Sequence, residues 1–120
     1  MDIQKYKNQL QETVVIPMTE FMGEDEDCGF TKKDIEKCES LILKYLLALE
    51  QITTPTNKEI MKHVKSLVLA LNKLNEKTDY AMLETDERES ICVLVQDFAV
   101  ACGLAEIPED DDVTGEWREF

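Results

Sequence analysis

A run of apolar residues at steps of three and four, from Ile35 to Ile52, most constrains how this chain can fold. Ile35, Cys38, Leu41, Ile42, Tyr45, Leu46, Leu49 and Ile52 recur at the spacing of one helical face. Leu43 and Leu47 widen that face over much of the circumference. This predicts a central helix that touches neighbours on more than one side. Thr31-Lys-Lys-Asp34 supplies a capping hydroxyl and a first-turn acid at its start. Thr53-Thr54-Pro55 ends it.

Three further helices follow from the same rules. Ile3, Tyr6 and Leu10, with Val14 continuing the row, predict a helix over about residues 2–13. Pro17 is expected to limit it, because proline lacks an amide hydrogen and disfavours helix at the residue before it. Residues 23–30 read as a polar loop. Thr56-Asn-Lys-Glu59 has the full capping-box pattern. The helix it opens runs to about Lys77, with Ile60, Val64, Leu67, Val68, Leu71 and Leu74 as its inner face. The short connection before it favours an antiparallel hairpin. Thr85 is the expected cap of a last helix whose apolar row is Ile91, Val95, Phe98 and Cys102. Gly103 stands where a left-handed cap residue belongs. No alternating strand pattern and no internal repeat occurs.

Charge limits the partners. The chain carries 26 acids against 13 bases, a net charge of -13 over 120 residues. Such a field repels nucleic-acid backbones and anionic membranes. It suits a basic protein partner, or solubility alone. The acid is uneven. Glu24, Asp25, Glu26 and Asp27 form one cluster, and Glu109, Asp110, Asp111 and Asp112 form another. These eight are the candidate partner-binding residues. Lys58, Lys62 and Lys65 share a face of the third helix, where a solvated surface is expected. Part of the acid is expected to pair with them or with Arg88.

The chemistry-bearing residues are sparse. Cys28, Cys38, Cys92 and Cys102 contain no C-x-x-C pair, which removes zinc-ribbon and thioredoxin readings. The three helical cysteines read as small hydrophobes in the core, and Cys28 as the most accessible. No stretch of 18 apolar residues and no signal-peptide core is present, so a cytoplasmic location with reduced thiols is expected. His63 is the only histidine and reads as a surface or boundary residue. Asp110, Asp112, Thr114 and Gly115 imitate the opening of a calcium loop, but the bidentate glutamate at the twelfth position is missing. No glycine-rich phosphate loop occurs. The expectation is therefore no enzyme, no cofactor and no metal.

Two segments carry a resemblance. Leu83-Glu84-Thr85-Asp86-Glu87-Arg88-Glu89 leads into a helix closing at Cys102-Gly103-Leu104. The chain then finishes Asp112-Val-Thr-Gly-Glu-Trp117-Arg118-Glu119-Phe120. This resembles a family of small uncharacterised bacterial proteins with a Glu-Thr-Asp-x-Arg-Glu helix start and a terminal Glu-Trp-Arg-Glu-aromatic motif. Phe120 stands where that motif has tryptophan. The resemblance implies a bacterial, soluble, mainly helical protein and no activity to transfer. In physical terms, Glu84, Asp86, Arg88, Trp117 and Arg118 form a structural motif. The helix start and the terminal segment are expected to dock, with Arg88 forking onto a tail carboxylate.

The expected fold is all-α, a single-domain bundle of four main helices over residues 1–104. An acidic tail, residues 105–120, docks on the same domain. The expected function is an acidic protein-interaction domain, of the immunity or antitoxin-like inhibitor kind, that covers a basic partner. The alternative is a stand-alone accessory or regulatory domain whose acidity serves solubility.

Overall fold

A computed structural model describes residues 2–25, 27–105 and 112–120. The protein is an all-α domain, and four helical rods account for the helix among the described residues. The first rod joins α1 (Ile3–Leu10), a π-helical segment (Gln11–Val15) and α2 (Ile16–Glu24). The others are α3 (Lys32–Glu50), α4 (Asn57–Lys77) and α5 (Thr85–Ala101). None of the described helices is long and apolar enough to cross a membrane.

Pro17 does not end the first helix. It sits at the start of α2, and the widened turn before it lets the Ile16 N–H reach back to the Gln11 carbonyl. An α-helical Pro17 would drive its ring into the Thr13 carbonyl. A wider turn relieves that contact. The π segment also corrects a drift in register. Leu10, Val14 and Met18 recur at steps of four, which over-rotate a 3.6-residue helix. With the wide turn between them, all three are buried.

Local capping explains the other starts. The Thr31 hydroxyl accepts the Asp34 N–H, and the Asp34 carboxylate accepts the Thr31 N–H at 2.9 Å, a complete capping box. At α4 only half of the expected box forms. Thr56 Oγ1 accepts the Glu59 N–H, while the Glu59 carboxylate turns to His63 at 3.8 Å. Helix α5 closes at Gly103, whose φ of 113° lets the Leu104 N–H reach the Ala99 carbonyl. That geometry suits glycine alone.

The core lies where the rods meet. Backbones approach closely between α3 and α4, between α1 or α2 and α3, and between the first rod and α5. Phe98 is fully buried at the centre, edge-on to Tyr6 and Tyr45. The Tyr45 hydroxyl donates to the Val95 carbonyl at 2.7 Å, tying α3 to α5. The expected inner face of α4 is buried throughout, but Asn72 and Asn75 are buried with it. Cys38 is buried as the apolar pattern required. Desolvation, with Glu39 nearby, pushes its thiol up to about 12. Burial and Glu50 push the half-buried Cys102 up to about 11.

Asp34 also joins two rods, because Lys77 Nζ lies 3.4 Å from its carboxylate. Burial by itself would raise the Asp34 pKa. The hydrogen bonds from the Thr31 N–H and hydroxyl, together with Lys77, outweigh it and hold the pKa below the ordinary value of 3.8. A carboxyl with a depressed folded pKa contributes stability above its unfolded pKa, and that contribution is lost as pH falls through the folded value. The stability advantage of the wild type over Asp34→Asn is therefore expected to be constant near neutrality. It should shrink below about pH 4. Urea unfolding of both proteins across that range checks it. A difference that stays level to pH 2 would contradict the assignment.

Candidate partner-binding surface

The acidic segments take their positions from one end of the bundle, where α2 and α4 finish and α3 and α5 begin. The 25–31 loop is shaped by its own acids. Asp25 Oδ1 accepts the Asp27 N–H at 2.9 Å, and the Asp25 carbonyl accepts the Cys28 N–H. Cys28 is half-buried, and its thiol donates to the Phe30 carbonyl. Gly29 has φ 90°, and a Cβ there would fall 2.6 Å from the Ala81 Cβ. Only glycine satisfies both conditions. The loop is thereby seated against the 78–84 link. Gly29→Ala is expected to lower stability by about 1–2 kcal/mol through the left-handed backbone alone. The clash adds to that, and a melting curve reads the sum.

The link is organised by Asn75. Its side-chain oxygen accepts the Leu83 N–H at 3.0 Å, and its carbonyl accepts the Tyr80 N–H at 2.7 Å. Met82 and Leu83 are buried beneath the turn. The turn places Asp79 and Tyr80 at φ 56° and 63°, an uncommon region for residues other than glycine. Tyr80 is 59% exposed, the largest value among the exposed apolar side chains. Phe21, also exposed, stacks on Phe30 at the same end.

Helix α5 begins one residue earlier than its cap pattern suggested. Glu84 is the N-cap, without a side-chain capping bond, and Thr85 is already helical. Glu84 and Asp86 are exposed and Glu87 is half-buried, in the first turn where acids suit the positive helix end. Arg88 makes no ion pair among the described residues. Among the described residues it is Arg118 that pairs with a tail carboxylate, that of Asp112. Glu24, Asp25 and Asp27 are exposed. Glu26 lies outside the described residues. Glu24, Asp25 and Asp27, distant in sequence from Glu84 and Asp86, therefore face solvent at the same end as they do. Of the cations there, Lys77 is committed to Asp34, while Lys32 and Lys33 remain exposed.

The second acidic cluster resolves differently. Glu109, Asp110 and Asp111 lie outside the described residues. Asp112 is not a free acid. Its Oδ1 accepts the Thr114 N–H and hydroxyl, and its Oδ2 lies 3.1 Å from Arg118. It closes the terminal turn. Trp117 and Arg118 are half-buried. The terminal segment's hydrogen bonds to the helices run to Asn72 of α4 and to Cys92 and Gln96 of α5.

Lys58, Lys62 and Lys65 are exposed, as a solvated face requires. None pairs with an acid among the described residues. Lys65 instead lies over the Trp117 ring, 6.0 Å from its centroid. No cluster of three or more metal-ligating side chains forms among the described residues. Asn72 and Asn75 were missed as positioning residues, as was the reach of Lys77 to Asp34. The signal for the two asparagines was present, because they fall in the inner rows of α4 where apolar residues would otherwise stand. No family model, curated protein or solved structure matches this chain.

Proposed function

We propose that the protein is an interaction domain whose acidic end docks a basic protein, in the manner of an immunity or antitoxin-like inhibitor. One observation carries the reading: Glu24, Asp25 and Asp27 share an end of the bundle with Asp79, Glu84 and Asp86. Acids concentrated on one surface accelerate encounter with a basic partner and reject acidic ones. Tyr80 and Phe21 supply exposed aromatic area beside them, and aromatic side chains are the commonest anchors of protein interfaces. The reading assigns the domain no catalytic step.

The test is a charge reversal, Asp25→Lys with Asp27→Lys, Glu84→Lys and Asp86→Lys. Wild type and variant are used to capture partners from the native lysate at low and raised salt. A basic partner is expected on the wild type at low salt and is expected to be lost as salt rises. Its association rate with the variant should fall at least about tenfold. Equal capture by both proteins would place the interface elsewhere. No partner at any salt would favour an accessory domain whose acidity serves solubility.

A further inference from the structure

We propose that the groove between α4 and α5 is a peptide-docking site, able to take the terminal segment of a second copy of this chain in place of the chain's own. This surface is separate from the acidic end. Helices α4 and α5 are not among the pairs whose backbones approach closely. The space between them is occupied by residues 112–120.

The seat is built by side chains of both helices. Asn72, buried in the inner row of α4, donates from Nδ2 to the Trp117 carbonyl at 2.8 Å. Its Oδ1 accepts the Glu119 N–H at 2.9 Å. One amide thus grips the main chain on both sides of Arg118, as a neighbouring strand would. Gln96 Oε1 accepts the Val113 N–H at 3.3 Å. Cys92 Sγ lies 3.3 Å from Thr114 Oγ1 and 3.6 Å from Arg118. Val113 and Thr114 are each 1% exposed.

These contacts fall into two sets. One set joins groove to segment, and none of its bonds depends on the segment being continuous with α5. The other set lies inside the segment: Asp112 holds Thr114 and Arg118. That turn travels with the segment and organises it before it docks, which lowers the cost of ordering. A second copy presents an identical segment, so the groove reads the same backbone and the same Val-Thr insertion. The chain's own segment competes at an effective concentration on the order of millimolar, as short connections give. Exchange is therefore weak until that competitor is loosened.

The test exploits the single tryptophan. The full-length chain carrying Trp117→Phe and Arg118→Ala has no tryptophan and a loosened tail. A synthetic peptide of residues 112–120 stands for the second copy's segment and carries the only tryptophan in the mixture. Circular dichroism establishes that the chain is folded. A saturable rise in tryptophan anisotropy is expected, at least tenfold weaker when Asn72→Leu is added. The Trp117→Phe chain with its tail otherwise intact should bind the peptide more weakly than the loosened chain, and it serves if the double variant fails to fold. Anisotropy that stays flat to millimolar peptide with helix content retained overturns the proposal. So does equal binding by the Asn72→Leu chain.

Discussion

Replacing Phe98 by alanine is expected to lower the free energy of unfolding by about 3–5 kcal/mol, the range for truncating a large ring in a packed core. Phe98 has no exposed surface. Its ring meets Tyr6 edge-on at 4.8 Å and Tyr45 at 6.2 Å, so one side chain joins α1, α3 and α5. The vacated space cannot close cheaply. Tyr45 is held by its hydroxyl bond to Val95, one turn from Phe98, and the neighbouring Leu94, Val95 and Ala99 are fully buried. A domain of this size has a total stability on the order of 10 kcal/mol, so the loss is a large fraction of it. Urea unfolding followed by circular dichroism measures the effect. A change under about 1 kcal/mol would mean that the three helices meet without this ring.

Deleting residues 113–120 is expected to lower the melting temperature by about 5–10 °C, corresponding to roughly 2 kcal/mol for a domain of this length. Two effects add. Burial of Val113 is lost, worth about 1.5–3 kcal/mol. Asn72 is also left with its amide unpaired in a half-closed groove, a cost of about 1–3 kcal/mol for a polar group that remains buried. The freedom that the ordered segment regains offsets part of both. Helix content should barely change, because the four rods lie outside the deletion. By contrast, Glu116→Ala should be nearly neutral, since Glu116 is exposed. An unchanged melting temperature in the deletion would show that the segment rests on the bundle without stabilising it.

Much of the helical plan was legible in the residues. The 35–52 row, the inner face of α4, the Thr31 and Thr56 caps and Gly103 obey rules that act over one or two turns. Helix periodicity and capping are local, so a chain read in short windows reveals them. Pro17 misled for the same reason. Its local rule forbids an α-helical hydrogen bond, but a π turn changes the bond in question, and burial of Leu10, Val14 and Met18 on one face favours that turn. Thr85 looked like a cap because of its residue type. The backbone places Glu84 there because the Asn75-centred turn sets where α5 begins.

What the sequence by itself determined was the class of fold, the rows that form the core, and the placement of acid along the chain. Periodicity and composition carry those, and neither depends on what lies across the bundle. Tertiary structure alone decided which acids share a surface and which are consumed. Gly29 seated on Ala81 sets Glu24, Asp25 and Asp27 at the end of the bundle where α5 begins with Glu84 and Asp86. Arg118, not Arg88, neutralises Asp112, and Lys77, not the 58–65 stripe, neutralises Asp34. The physical reason is distance along the chain. Asn72 and Trp117 lie 45 residues apart and meet only after the helices have packed, so no local pattern could encode their contact.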